Sequence, residues 1–185
     1  MPSLHERSHR RLPIRAVVAV VAFGLIGAAC LPAAPPPPQN GRLPDSSLTF
    51  ISDGCRVATE LAGPLVVLLR AASIAGVALA PEKSAYLPPG VPGPPRIESC
   101  YRTYDMQVWW RNYYCSIGQC GMAAVPGTSK HGWGHAIDFE DQGGELTFSS
   151  PGYAWLAANA AGYGFFQPAS VQPGGPNPEA WHWEA

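Results

Sequence analysis

Apolar and polar positions along the chain fall into blocks with different periods. The run AVVAVVAFGLIGAA (residues 16–29) follows the basic stretch HERSHRRLPIR and carries no polar residue. It is short for a spanning helix, which needs about 20 residues, and reads as the apolar part of a secretory signal; an uncleaved anchor is the alternative. LAGPLVVLLRAASIAGVALA (61–80) predicts a helix with Pro64 in its first turn and Gly76 weakening its end. RIESCYRT (96–103) predicts a strand, and YDMQVWWRNYYC (104–115) an aromatic helix whose rings form core plus one exposed edge. Residues 116–130 are a loop. HAIDF (135–139) and ELTF (145–148) read as strands around a Gly turn. SPGYAWLAANAAGYG predicts a helix that Ser150 caps, Pro151 starts and Gly162 or Gly164 stops. GFFQP predicts a strand, and AWHWEA a final one. Helices alternating with short, hairpin-like strands imply an α+β fold: a small single domain with a central antiparallel sheet flanked by helices.

Composition narrows the picture. The 185 residues suffice for one domain with a real core. Lys and Arg (12) balance Asp and Glu (13), so no nucleic-acid partner and no anionic membrane surface is expected. Pro clusters at 32–38, 88–95 and 168–178 mark loops. The expected organisation is a signal at 1–30, a Pro-rich linker at 31–52 and a domain at 53–185. LIGAAC, ending at Cys30, resembles a bacterial lipoprotein signal, with Gly27 where such signals usually carry Leu. Cleaved, lipidated through Cys30 or anchored by the apolar segment, the domain is expected outside the cytoplasmic membrane, and as a monomer.

Cysteine parity agrees with export. Without Cys30, four remain, enough for two disulfides in an oxidising compartment, and three pairings are open. We favour Cys115–Cys120, closing the CSIGQC loop, and Cys55–Cys100, tying a helix start to a strand. A zinc site built from these cysteines is the rival, but no C-x-x-C spacing supports it.

The candidate chemistry lies in three places. In TSKHGWGHAIDFE, His131 and Asp138 are seven apart, a spacing that would share a helix face; Gly132 and Gly134 argue against a helix. On one regular strand the pair would face opposite ways. His131 therefore belongs to an irregular turn that the glycines bend back toward Asp138. In NPEAWHWEA, Glu179 and His182 sit three apart, His182 flanked by two tryptophans, on a terminus expected to dock. Two His and one carboxylate are a catalytic zinc ligand set, with a second carboxylate left for proton transfer. In ESCYRTYDMQ, Arg102 offers a fixed planar cation for a developing oxyanion.

Together these pieces resemble the VanY-like family of zinc D-alanyl-D-alanine carboxypeptidases. The family pattern S-x-H-x-x-G-x-A-x-D is matched by SKHGWGHAID, its later E-x-W-H by EAWH, and its upstream Tyr-Arg-Ser/Thr and Gln by Tyr101, Arg102, Thr103 and Gln107. The resemblance covers about residues 55–185. It implies one zinc per chain, in a cleft on the sheet, held by His131, Asp138 and His182. Glu179 would be general base and acid, and Arg102 would polarise the scissile carbonyl. Ser129, Tyr101 and Gln107 would serve the substrate, a peptidoglycan stem peptide losing its terminal D-Ala. Ala180 departs from the Pro of many relatives. His135 is an additional His; strand alternation turns it away from Asp138 and out of the ligand set. The rival readings are an endopeptidase cutting within the stem, such as at L-Ala–D-Glu, a non-catalytic zinc-containing wall-binding module, and a structural secreted domain.

Overall fold

A computed structural model describes residues 37–82, 98–142 and 144–185. The signal and lipidation expectations fall on residues outside these. Strand β1 (Leu48–Ser52) turns through Asp53 and Gly54 into β2 (Cys55–Ala58), pairing antiparallel with Leu48 opposite Ala58. Helix α1 (Thr59–Ile74) follows without a break and buries Leu65, Leu68 and Ala72, one face at helical spacing. Two expectations change here. Pro64 lies inside α1 rather than in its first turn, because the helix starts at Thr59. The helix also ends before residue 80. Gly76 takes φ 79°, and the N–H groups of Val77 and Gly76 bond back to Ala72 and Ser73, the Schellman closure. That closure frees β3 (Leu79–Pro81) to join a sheet.

The central strand is β4 (Ala136–Asp141), buried along its whole length. It pairs antiparallel with β3 on one side, Pro81 opposite Phe139. On its other side lie β5 (Gly144–Glu145) and β6 (His182–Glu184), with Glu145 opposite Glu140 and His182 opposite Asp138. Ile137 and Phe139 face the core, with Val57, Leu65, Leu68, Leu146, Leu156, Phe165 and Trp183. Asp138 faces the other way, so a single alternation separates core from chemistry. The result is a mixed fold of helices around an antiparallel sheet.

Helix α2 (Tyr104–Ser116) starts at Thr103, whose hydroxyl accepts the Met106 N–H at 3.3 Å. Helix α3 (Pro151–Asn159) runs into a 3-10 turn, Ala160–Tyr163, and stops at Gly164, φ 85°. Ser150 does not cap α3. Its hydroxyl is taken by the Thr147 N–H at 2.9 Å, and Asp141 on β4 caps instead, accepting the Gly152 N–H at 2.7 Å.

Other local expectations also give way to tertiary packing. Residues 98–103 form no ladder; they are an extended bridge fastened by Ser99 N–H to Gly54, Tyr101 N–H to Arg56 and Asp138 N–H to Ser99. The Cys55–Cys100 disulfide (S–S 2.04 Å) therefore joins β2 to this bridge, not a helix start to a strand. Cys115–Cys120 is also bonded. The strand expected at 145–148 stops after Glu145, because Leu146 drops into the core and 147–150 turn. GFFQP makes one bridge, Phe166 to Glu184. The linker expected over 31–52 is folded chain from about Asn40, which is buried, and its last residues are β1.

Candidate metal centre and cleft

His131 sits in a 3-10 turn, Lys130–Trp133, that Gly134 ends at φ 70°. A Cβ on Gly134 would lie 2.6 Å from the Ala58 nitrogen, and one on Gly132 would lie 1.9 Å from Asn40 Oδ1. Both glycines are therefore needed for close approach, and Gly134 also for the bend. Asn40 fastens this turn: its Nδ2 donates to the Ser129 carbonyl at 2.7 Å, and its Oδ1 accepts from Gln107 at 3.0 Å. The Gly41 N–H adds a bond to the Gly132 carbonyl at 2.7 Å, and the Arg102 N–H one to the His131 carbonyl at 3.0 Å.

The turn aims His131 at Asp138, and β6 brings His182 beside both. His131 Nε2 lies 3.3 Å from Asp138 Oδ1 and 3.2 Å from His182 Nδ1, and His182 Nδ1 lies 3.0 Å from the same oxygen. Each ring's other nitrogen has a partner. His131 Nδ1–H donates to the Cys100 carbonyl at 2.7 Å, and His182 Nε2–H to Glu184 Oε1 at 3.2 Å. These bonds fix the tautomers and leave one lone pair on each ring facing the other. Two facing lone pairs repel unless a cation lies between them. Zinc–ligand bonds of about 2.0–2.2 Å at the tetrahedral angle place donor atoms about 3.3 Å apart. The observed spacings fit that seat. His135 is elsewhere, between Glu60 and the Ala185 carbonyl.

Electrostatics agree. Burial, then Arg102, pushes His131 down to about 4, so it is neutral and ready to bind. Burial opposes charge on His182, but its bonds to Asp138 and Glu184 outweigh it and raise the ring to about 9. The metal-free seat thus holds a proton that a metal replaces. Burial also opposes charge on Asp138; His131 and Arg102 overcome it and hold the carboxylate well below its usual range. The Arg102 guanidinium grips the second oxygen, Oδ2.

The seat opens on a cleft of about 450 Å³. Trp110 and Tyr114 of α2 form one wall, with 121–124 and 170–171 beside them. Arg111 holds the 121–124 loop by the Cys120 and Ala123 carbonyls. Glu179 projects into the cleft from the turn before β6; its N–H bonds Val171 at 2.9 Å, and its carbonyl accepts from Gln167 at 3.0 Å. Burial, then Asp138, raises its carboxyl to about 7. A group poised there can both take and give a proton near neutrality.

Arg102, Ser129 and Gln107 also line the cleft. Gln107 is spent on structure: it donates to Asn40 and Arg102 and accepts the Gly127 N–H at 2.9 Å. Tyr101 is not a cleft residue. Alternation turns it opposite to Arg102; it is buried, its hydroxyl accepts the Leu43 N–H at 3.0 Å, and Arg56 covers its ring. Sequence reasoning missed Asn40, Glu82, Glu145 and Glu184. Only Glu184 carried a local signal, two residues from His182 on an alternating strand.

The described residues form a small α+β domain with a seat of two histidines and an aspartate, a ligand set that suits a metal ion. Residues 94–184 match the VanY family model, described as D-alanyl-D-alanine carboxypeptidase. Over these residues the chain is similar to the VanY-like family. Among solved structures it is similar to VanYB in complex with D-alanine-D-alanine: 24% identity, TM-score 0.55, covering 74% of this chain and 75% of that one. A zinc complex of a mutant of the vancomycin resistance D,D-pentapeptidase VanY gives 27% identity and TM-score 0.54, over 74% of this chain and 76% of that one. The LD-carboxypeptidase LdcB gives 24% identity and TM-score 0.56, over 78% and 70%. No curated protein matches.

Proposed function

We propose that the protein is an exported zinc D,D-carboxypeptidase that hydrolyses the terminal D-Ala from peptidoglycan stem peptides. The observation that carries the reading is convergence: a tautomer-locked seat, a poised carboxyl and an arginine share one cleft. His131 Nε2, Asp138 Oδ1 and His182 Nδ1 would hold the zinc. Zinc bound there supplies Lewis acidity toward a water and a carbonyl oxygen. Glu179 removes a proton from the attacking water as its oxygen bonds the carbonyl carbon. The C–N bond then breaks, and Glu179 returns that proton to the leaving amine of D-Ala. Arg102 fixes Asp138 and sets positive charge where the oxyanion develops. Cys55–Cys100 and Cys115–Cys120 suit an oxidising compartment, which supports export.

The test is to incubate the zinc-loaded chain with a stem pentapeptide ending in D-Ala-D-Ala and identify the products by mass spectrometry. Loss of one D-Ala, abolished by a chelator, is expected. A cut elsewhere in the stem would replace the carboxypeptidase with an endopeptidase. An intact peptide beside bound zinc would favour a binding module.

A further inference from the structure

The two disulfides serve different parts of the site. Cys55–Cys100 lies in the core, its cysteines 1% and 0% exposed, and the Cys100 carbonyl accepts the His131 Nδ1–H. That bond belongs to the seat. Cys115–Cys120 instead joins the last turn of α2 to the 3-10 turn Cys120–Met122. Both of its cysteines are half-buried, and residues 116–119 between them are exposed. Access therefore favours attack by an external thiol on this bond over the other. The accessible bond also stands at the root of the substrate wall. Residues 121–124 follow Cys120 directly and line the cleft. None of them is buried, and none belongs to a strand ladder. Arg111 of α2 grips the Cys120 and Ala123 carbonyls, and Asn177 Nδ2 donates to the Gly121 carbonyl at 3.1 Å. The Met122 and Ala123 N–H groups bond only within the segment, to Gln119 and Cys120.

We propose that Cys115–Cys120 is a thiol-sensitive clip that positions the substrate wall. Closed, it holds residues 120–124 in place for substrate; opened by an external dithiol, it lowers substrate affinity and leaves the metal seat intact. The inference rests on the peptidase reading for its substrate. In the opening step a thiolate of the dithiol attacks one cysteine sulfur. The S–S bond breaks, and the other cysteine leaves as a thiolate that takes up a proton. The second thiol of the reductant then attacks the mixed disulfide and frees the first cysteine. Two electrons pass to the protein, which gains two thiols, and the dithiol departs as its own disulfide. The short loop regains the freedom that the bond removed. Ordering the wall again opposes binding, so the effect falls on KM. His131, Asp138, His182 and Glu179 stand on other elements and keep their places.

The zinc-loaded full chain is treated with dithiothreitol, and timed samples are alkylated and mapped by mass spectrometry. Apart from Cys30, Cys115 and Cys120 are labelled first, and Cys55 and Cys100 stay protected. The reductant is then removed, and zinc content, KM and kcat are measured with the D-Ala-D-Ala pentapeptide. KM rises about tenfold with a smaller change in kcat, zinc stays at one per chain, and reoxidation restores KM. The double variant Cys115→Ser, Cys120→Ser shows the raised KM without reductant and no response to it. By hydrogen exchange, the amides of 120–124 open about tenfold faster after reduction, and those of β4 do not change. Unchanged KM and unchanged exchange after full reduction of Cys115–Cys120 overturn the clip, and so does opening of Cys55–Cys100 first. If the oxidised chain cleaves no peptide, the carboxypeptidase reading fails and exchange still decides: faster opening confined to 120–124 keeps the clip, and unchanged opening removes it.

Discussion

His131, Asp138 and His182 stand at one end of the cleft with their remaining polar atoms committed. His131 is tied to Cys100, Asp138 to Arg102, and His182 to Glu184. Glu82, Glu145 and Glu179 surround the same space, and their carboxyls make no hydrogen bond with the described residues. The two regions line one cleft and differ in bonding. A seat for a metal must hold its donors within tenths of an ångström, and paired outer atoms do that. A wall that meets substrate must leave its groups free until the substrate arrives. The carboxyls raised by burial, Glu82 to about 9 and Glu179 to about 7, mark the second kind of region. The lowered Asp138 marks the first.

The contrast can be broken at its strongest point. His182→Ala removes a ligand and uncovers Glu184; zinc content measured by elemental analysis falls from one per chain to near zero, and cleavage falls with it. Removing only an outer partner has a smaller effect. Glu184→Ala frees the His182 ring and weakens zinc by about 10–100-fold in a competition assay. Proton competition is similar in scale. Below about 9 the metal-free His182 carries a proton that zinc must displace. Zinc affinity therefore falls about tenfold for each pH unit lowered from 8 to 7, with about one proton released per ion bound. A pH-independent affinity would show that the proton lies elsewhere. Smallest is the support beneath the seat. Asn40→Ala removes one hydrogen bond from the Ser129 carbonyl and one from the Gln107 amide and costs about 1–3 kcal/mol in denaturant unfolding.

The same contrast explains what could be read from the chain alone. The committed seat was legible, because its members lie in short motifs with glycines and tryptophans that leave few arrangements. Helix α2 and strands β4 and β6 were legible for the same reason, since local period and fold agree there. The free wall was not. Glu82 and Glu145 reach the cleft only through pairing with β4, and neither neighbours a motif. Asn40 follows a proline run and looked like linker; its partners are Ser129, 89 residues away, and Gln107, 67 away. Tyr101 sits inside a motif, yet alternation beside Arg102 turns it to the interior. Ser150 precedes Pro151 as a cap should, but Asp141 reaches the helix end first.

The measurement that bears most directly on the division between holding and reacting is zinc content together with turnover in Glu179→Ala. The variant should keep one zinc per chain while cleavage of the D-Ala-D-Ala pentapeptide falls by about 10²–10⁴-fold, the usual worth of a general acid–base group. Zinc retained with turnover unchanged would contradict the role given to Glu179, and zinc lost would place Glu179 in the seat rather than on the wall.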